Sequence, residues 1–171
     1  MLDDPADLAN VFDKYARDLL RYCARRVGPD LAEDVVAETF LQAYANRHRY
    51  DPAKAAALPW LYGIATNVIR RHRRAEVRAY RAMARGAGAA PAEDGVAQRA
   101  AERTDAARSR RRLAKALAVL PRRQRDVLLL YAIAELEYAE IAAALDIPLG
   151  SVRSALHRAR AKVSHALGGT P

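Results

Sequence analysis

Cysteine and aromatic residues are scarce in this chain of 171 residues, and long hydrophobic runs are absent. Cys23 is the one cysteine, which excludes an internal disulfide and fits a reducing cytoplasm. No apolar run approaches the roughly 18 residues of a membrane span, and no signal-peptide pattern opens the chain. We therefore expect a cytoplasmic protein that neither crosses a membrane nor is secreted.

Patterns that bind metals or perform catalysis are also missing. The four histidines are scattered, and no cysteine or carboxylate pattern supplies metal ligands. The chain has no glycine-rich phosphate-binding loop and no pairing of a nucleophile with a base. The sequence thus predicts a protein that is not an enzyme and that uses no metal, no cofactor and no small-molecule substrate.

Basic residues are abundant and unevenly placed. The net charge is +9 and the isoelectric point is about 10.1. Residues 60–85 carry seven basic side chains and one acidic side chain, and residues 151–171 carry four basic and no acidic ones. Two separate basic segments predict two contact points on one nucleic acid.

Residues 138–163 have the pattern of two short helices joined by a tight turn. Ile141, Ala142 and Leu145 form an apolar stripe on the first helix. Residues 146–150 should break it, because Pro148 lacks an N–H group and Gly150 tolerates unusual dihedral angles. This arrangement is typical of a helix-turn-helix, which places its second helix in the major groove of DNA.

The second of these helices divides into an apolar face and a polar face. Val152, Leu156, Ala159 and Val163 recur at helical spacing, and Ser151 is a good N-cap. A solvated surface helix is the plainer alternative, but the turn, the cap and the lack of acidic residues favour DNA binding. The predicted DNA-binding side chains are Ser151, Arg153, Ser154, His157, Arg158 and Arg160.

The first half of the chain also predicts helices. Gly28 and Pro29 end the first of them, and Asp30 is the expected N-cap of the second, with Glu33 completing a capping box. The second helix extends to about Asn46. Its expected buried residues are Val35, Val36, Phe40, Ala43 and Tyr44.

Three polar residues of this second helix, Asp34, Glu38 and Gln42, are in register on its exposed face. Such a face is most often only solvated. An acidic docking surface for a protein partner is the alternative, and the spacing by itself does not choose between the two.

An aromatic and an amide side chain precede the first basic segment. Trp60 and Asn67 stand upstream of the basic run 70–74, and a loop from Tyr50 to Pro59 precedes them. Proteins that hold single-stranded DNA stack aromatic rings on unpaired bases beside a cationic track for the phosphates. A core position is the alternative for Trp60. The candidate residues are Trp60, Asn67, Arg70, Arg71, Arg73 and Arg74.

Four motifs in this order carry a resemblance to a known family. They are LAEDVVAETF at 31–40, PWLYGIATN at 59–67, LPRRQRDVLLL at 120–130 and the helix-turn-helix. Together they resemble bacterial sigma factors of the extracytoplasmic-function class, the smallest of the sigma-70 family. The resemblance covers most of the chain apart from the tail and the linker.

The resemblance implies an all-α fold of two small helical domains joined by a flexible linker, the second domain being the helix-turn-helix. Residues 1–84 would bind core polymerase and the −10 promoter element, residues 85–107 would be the linker, and residues 108–171 would read the −35 element. Three glycines, one proline and few large apolar residues between 86 and 95 support the linker.

The resemblance also implies a function and its partners. The chain would join core RNA polymerase, direct it to promoter DNA and stabilise strand opening. Asp34, Glu38 and Tyr44 match positions that contact the beta-prime clamp helices, the segment 60–74 matches the −10 region, and the C-terminal domain would lie near the beta flap. Many members of the class are held inactive by an anti-sigma factor, and the sequence leaves open whether this chain has one.

Departures from the family pattern occur in three places. Most relatives have glutamine at Ala37, and many have Gly-Leu-Ser where this chain has Glu135, Leu136 and Glu137. Glu137 is a poorer N-cap than serine. Ala155 replaces an arginine of many recognition helices, so we expect one DNA contact to be missing and the −35 preference to be altered.

Two other classes of function stay open at the level of sequence. A stand-alone helix-turn-helix regulator would need no polymerase and would usually dimerise on a palindrome. A DNA-modifying enzyme such as a recombinase needs a nucleophile with a supporting site, which the sequence does not show.

Overall fold

The helical periodicity of the sequence is realised in a computed structural model that describes residues 5–53, 56–86 and 97–168, without the side chains of 5–9 and 97–104. These ranges contain α-helices and one 3₁₀ turn, Arg47–Arg49, and no strand, so the all-α prediction is confirmed. The helices are α1 Pro5–Val27, α2 Pro29–Ala45, α3 Ala57–Arg71, α4 Arg73–Arg85, α5 Ala97–Val119, α6 Arg122–Ala132, α7 Tyr138–Leu145 and α8 Leu149–Leu167.

Helices α1 to α4 form a first bundle. The hydroxyls of Tyr22 and Thr66 share a hydrogen bond of 2.9 Å in its centre, and the Tyr22 ring meets Tyr62 edge-on at 5.1 Å. This core orients α3, which carries Trp60 and Asn67 on its outer side. The fully buried apolar residues include Leu19, Tyr22, Cys23, Val35, Leu61, Tyr62, Val68 and Ile69.

Helices α5 to α8 form a second bundle, which packs directly on the first. Its most buried apolar residues include Val127, Leu130, Ile141, Val152 and Leu156. Helix α5 lies along both α8 and α4, and α7 packs on α3. The apolar cores of the two bundles are therefore continuous.

Four charged side chains are buried where the bundles meet. Arg26 of α1 and Glu76 of α4 face Arg125 and Asp126 of α6, and none is more than 2% exposed. Arg26 lies 2.6 Å from carboxylate oxygens of both Glu76 and Asp126, and Arg125 lies 3.3 Å from Glu76. Burial by itself would lower the pKa of Arg26, but Tyr22 and the two carboxylates raise it well above its ordinary value, so the guanidinium stays charged.

The start of α2 differs from the prediction. Helix α2 begins at Pro29, with Gly28 at the N-cap in a conformation with φ of 90° that favours glycine. Asp30 lies in the first turn and is not the cap, and no capping box with Glu33 forms. Proline suits the first helical position because its missing N–H would find no partner there in any case.

The start of α8 differs in the same way. Helix α8 begins at Leu149 with Pro148 at the N-cap, so Ser151 lies within the first turn and makes no cap. The fixed φ of proline again sets the entry to the helix. The serine prediction was wrong because it placed the helix start three residues too late.

The predicted linker 85–107 is helical at both of its ends. Helix α4 extends to Arg85 and ends at Gly86, and α5 begins at Ala97, so residues 97–107 are helical. Residues 87–96 lie outside the described residues. The stretch from 97 is rich in alanine and arginine, which have high helix propensity even where they bury little apolar surface.

Candidate nucleic-acid interface

The predicted helix-turn-helix is formed by α7 and α8, joined by residues 146–148. The N–H of Ile147 donates to the carbonyl of Ala142 at 3.0 Å and closes the turn. Asp146 adopts the left-handed conformation (φ 51°), whereas Gly150 lies inside α8 and needs no unusual dihedral angle. A short polar side chain tolerates this conformation better than most, so Asp146 takes the role expected of glycine.

Helix α7 begins with a reciprocal capping box that was not predicted from the sequence. Glu137 is the N-cap, its side chain accepts from the backbone of Glu140, and the side chain of Glu140 accepts from the N–H of Glu137 at 2.8 Å. A glutamate three residues after the cap is the signal that could have revealed it. Glu137 is therefore a working cap despite its low intrinsic preference.

The polar residues of α8 form the exposed face that was predicted. Arg153, Ser154, His157 and Arg158 are exposed. Arg158 donates to Ser154 Oγ at 3.3 Å, and Ser154 Oγ donates to the carbonyl of Ser151 at 3.2 Å. These contacts bring three of the predicted residues together on the first turns of α8.

Arg160 is exposed as well, but it is engaged by α6. Its guanidinium lies 4.6 Å from the centre of the Tyr131 ring, a geometry in which the ring attracts the cation. Tyr131 in turn meets Tyr138 of α7 edge-on at 5.8 Å. Arg160 thus stands apart from the cluster of Ser151, Ser154 and Arg158.

Ala155 does not belong to the polar face. It is 1% exposed and packs in the core with Val152, Leu156 and Ala159. The expectation that a DNA contact is missing at Ala155 is therefore wrong, because a residue three positions after Val152 lies on the same, buried side of the helix.

Trp60 and Asn67 border a pocket of about 390 Å³ between the two bundles. Trp60 is half-buried and its ring lies 4.9 Å from that of Tyr50, at an angle of 42°. The walls of the pocket mix this aromatic surface with amide and guanidinium groups, a combination that suits an unstacked base. Other lining residues are Gln42, Asn46 and Arg49 from the first bundle and Ala144 and Asp146 from α7 and its end.

Arg70 reaches across to the second bundle. Its Nε donates to Asp126 Oδ2 at 3.0 Å, and its Nη1 donates to Asn67 Oδ1 at 2.7 Å. Two predicted −10 residues are therefore held by intramolecular contacts in this conformation.

The remaining predicted −10 residues lie on a separate surface. Arg71 ends α3, and Arg73 and Arg74 begin α4 after a break of one residue. They line an open groove of about 880 Å³. Spacings of four and seven residues from Arg74 place two further arginines beside it, which could have been predicted. These are Arg78 and Arg81.

The acidic face of α2 is tied to the end of α3. Asp34 is exposed, and the half-buried carboxylate of Glu38 pairs with Arg71 and accepts from Gln42 at 3.2 Å. His72 Nε2 lies 3.8 Å from the other Glu38 oxygen. The face is thus acidic as predicted, with Glu38 engaged inside the first bundle.

An exposed leucine adjoins this face and was not predicted. Leu41 is 71% exposed and lies three residues after Glu38 and seven after Asp34, so the three share one side of α2. Tyr44, expected to be buried, is 38% exposed and holds the guanidinium of Arg47 4.5 Å from its ring centre. Carboxylates beside exposed apolar groups are typical of a protein-binding surface.

The described residues contain no arrangement suited to metal binding or to thiol reactivity. Within 5–53, 56–86 and 97–168, no group of three or more histidine, cysteine, aspartate or glutamate side chains is placed to hold a metal ion. Cys23 is fully buried, and burial raises the pKa of its thiol to about 12, as expected of a core residue. No helix in the part of the chain that the structure describes is long and apolar enough to span a bilayer.

Comparison with known proteins identifies the family. Residues 11–79 match the family described as Sigma-70 region 2, and residues 110–163 match Sigma-70, region 4. The ECF RNA polymerase sigma factor SigW of Bacillus subtilis (strain 168) is 31% identical over 92% of this chain and 87% of its own length. The chain belongs to the ECF sigma factors of the sigma-70 family, and the resemblance drawn from four motifs is confirmed.

Solved sigma factors share the fold. The sigma factor RpoE from Bartonella quintana, solved in complex with the anti-sigma factor NepR, aligns with a TM-score of 0.62 at 21% identity, over 95% of this chain and 97% of that chain. CnrH, solved in complex with the cytosolic domain of CnrY, aligns with a TM-score of 0.65 at 23% identity, over 96% and 90%. The fold of this chain is thus shared with both solved proteins.

Proposed function

We propose that this sigma factor reads the −10 element with its first bundle and the −35 element with its second, while α2 docks on core RNA polymerase. One observation carries the proposal. An acid-free recognition helix lies on one bundle, and the other bundle carries the aromatic wall of a pocket and, on a separate surface, a groove of arginines. The chain would act by binding alone, in the cytoplasm, without bond-making chemistry.

The first bundle, within residues 1–84, would hold the opened −10 element. Trp60 and Asn67 would receive an unstacked base, with Arg70 beside them. Extruding a base costs a few kcal/mol, and stacking on an aromatic ring returns about 1–3 kcal/mol per base. The groove of arginines would follow the phosphates, through Arg71, Arg73 and Arg74.

The second bundle, within residues 108–171, would place α8 in the major groove of the −35 element. Arg153, Ser154, His157 and Arg158 face solvent and would meet bases and phosphates, with Ser151 and Arg160 at the margins. A guanidinium donates two parallel hydrogen bonds to guanine, which is the commonest specific contact in that groove. The same bundle would contact the beta flap of the polymerase.

The docking face on α2 would bind the beta-prime clamp helices through Asp34, Glu38 and Tyr44. Leu41 extends this surface with an apolar group at its centre. An anti-sigma factor is a further proposed partner, since a solved relative was captured with one.

Run-off transcription with core RNA polymerase on promoters randomised at both elements would test the proposal. We expect core-dependent initiation from a defined pair of elements. Arg153→Ala should abolish dependence on the −35 element and leave core binding intact, while Arg108→Ala, an exposed arginine of α5, should change neither. If Arg153→Ala instead lost core binding, the role given to α8 would be wrong.

A further inference from the structure

Helix α4 carries its positive charge on one side. It has five arginines and one acid, Glu76, which is buried and paired with Arg26 and Arg125. Four of the arginines follow one another at spacings of four, three and four residues, so they share one face of the helix. These four side chains are all exposed, and we call the row the arginine ridge: Arg74, Arg78, Arg81 and Arg85.

The arginine ridge lies opposite the side of α4 that faces the core. Glu76 and Tyr80 are buried, and at about 3.6 residues per turn they lie on the other side of the helix. Arginines three and four positions apart repel one another, so the ridge disfavours the helix that carries it. Among the described residues, no carboxylate pairs with any of the four arginines. An anionic ligand from outside the chain would relieve this repulsion.

The arginine ridge continues the surface that we assign to the −10 element. The groove of about 880 Å³ that Arg71 and Arg73 line is also lined by Arg78 and Arg81 of the ridge. Arg85 lies one further turn along α4. At about 1.5 Å per residue the ridge spans about 16 Å, which matches about five base pairs of duplex at about 3.4 Å each. The cations therefore extend well past the arginines given to the −10 element.

The arginine ridge has no aromatic group with which to hold an unpaired base. Tyr80 is the one aromatic residue of α4 and is 1% exposed, whereas Trp60 borders the open pocket on α3. Proteins hold single strands by stacking bases on aromatic rings beside a cationic track, and they hold duplex DNA without sequence preference through its phosphates. The ridge therefore suits the backbone of a duplex and not that of an opened strand.

We propose that the arginine ridge binds the phosphates of the duplex directly upstream of the −10 element, as a DNA site separate from the two recognition elements. Helix α4 is the last helix of the first bundle, and the DNA between the elements has to pass from the first bundle to the second. Contacts with phosphates position a protein and carry no sequence information. The ridge thus adds affinity, and the pocket and α8 supply the specificity. The inference rests on the proposed function, because it takes the first bundle as the reader of the −10 element.

Binding of two DNA probes by the holoenzyme, assembled from the full-length chain and core RNA polymerase, tests the arginine ridge. Both probes carry an opened −10 element and lack the −35 element. The long probe has about ten base pairs of duplex upstream, twice the length that the ridge spans, and the short probe ends at the element. The unaltered holoenzyme should bind the long probe more tightly.

The ridge variant combines Arg78→Ala, Arg81→Ala and Arg85→Ala, and it leaves Arg74 in place. It should bind the long probe at least tenfold more weakly and the short probe with unchanged affinity. Each duplex phosphate contact contributes about 0.9 to the slope of log affinity against log salt, so the slope on the long probe should fall by about 2.7.

Two control variants separate the position of the charge from its amount. Lys14→Ala, Arg17→Ala and Arg21→Ala together remove the same charge from exposed positions on α1 and should change neither affinity. Lysine at the three altered ridge positions keeps a point charge for each phosphate, so this variant should stay within about threefold of the unaltered chain on the long probe.

Three results would overturn the arginine ridge as a duplex site. They are equal binding of the two probes by the unaltered holoenzyme, an equal loss on both probes in the ridge variant, and unchanged binding by the ridge variant, which would favour an acidic protein as the ligand. Binding of the short probe and run-off transcription by the unaltered holoenzyme report the proposed function separately. A failure of the ridge is therefore distinguishable from a failure of −10 recognition.

Discussion

The guanidinium of Arg26 lies 2.6 Å from the carboxylate of Asp126, a residue one hundred positions later in the chain, and neither is more than 1% exposed. The pair joins α1 of the first bundle to α6 of the second. Asp126 also accepts from Arg70, so one buried carboxylate serves two cations. Removal of the Asp126 carboxylate therefore affects the packing of both Arg26 and Arg70.

Asp126→Asn should lower the free energy of unfolding by about 3 kcal/mol, because it leaves the buried Arg26 with a single carboxylate. Urea titration followed by circular dichroism measures the change. The control is Asp105→Asn, whose carboxylate pairs with Arg108 at 3.8 Å on the surface and should contribute less than about 0.5 kcal/mol. Equal effects of the two substitutions would show that burial of Asp126 is unimportant.

Ala155→Arg should destabilise the second bundle by about 3 kcal/mol or more, because the guanidinium has to enter a core in which Ala155 is 1% exposed. Ser154→Arg, at the exposed neighbouring position, should stay within about 0.5 kcal/mol of the unaltered chain. Thermal unfolding compares the two variants. A stable Ala155→Arg variant with stronger −35 binding would restore the sequence-based expectation that the structure overturns.

Leu41→Glu should weaken binding to a beta-prime clamp-helix fragment at least tenfold. Leu41 is 71% exposed in the middle of the proposed docking face, where burial of a leucine contributes about 1.5–3 kcal/mol. Val119→Glu is the control, since Val119 is 80% exposed on α5 of the other bundle. Isothermal titration calorimetry measures the affinity of each variant for the fragment. Unchanged binding by Leu41→Glu would remove this residue from the docking face.

Glu135→Gly should raise the free energy of unfolding by about 0.5–1 kcal/mol. Glu135 adopts a φ of 56°, a left-handed conformation that costs a residue with a Cβ atom about 1–2 kcal/mol. Glycine avoids this cost, but it loses about 0.5–1 kcal/mol more conformational entropy on folding, which offsets part of the gain. Asp146→Gly should raise the free energy of unfolding by less, because aspartate tolerates the same conformation better. A lower melting temperature in Glu135→Gly would show that its side chain stabilises the turn.

Alkaline pH should destabilise the fold from about pH 9 upward. Burial raises the pKa of Cys23 from 9.0 to about 12 and the pKa of Tyr22 from 10.0 to about 12. Both groups are neutral in the folded chain over a range in which the unfolded chain loses its protons. The stability is therefore fully present below the unfolded pKa and falls as the pH rises toward 12.

The free energy of unfolding should fall with a slope that approaches about 1.4 kcal/mol per pH unit for each group. Urea unfolding at pH 8, 9, 10 and 11 follows it, and Cys23→Ala should delay the onset of the decline by about one pH unit. A decline that begins at the same pH in both chains would exclude Cys23 as its first cause.

Local pattern was enough to predict much of this protein. The apolar periodicity gave the helices and the core face of α8 through Val152 and Leu156, because residues three and four apart share a side of a helix. The turn between α7 and α8 and the two basic segments could also be predicted from the sequence. Helix starts were predicted less well, since Pro29 and Pro148 fix the entry to a helix and the cap rules alone point to Asp30 and Ser151.

The sequence by itself determined the family, through four motifs in a set order, and the all-α class and the two basic segments, through residue spacing and local composition. Only the tertiary structure decided that Arg26 meets Asp126, that Arg70 is held from across the boundary and that Gly63 lies against Ala144. Such contacts depend on how two bundles dock, and no local periodicity encodes that geometry. The same docking places Asp126 against Arg70 and Ala144 beside the Trp60 pocket.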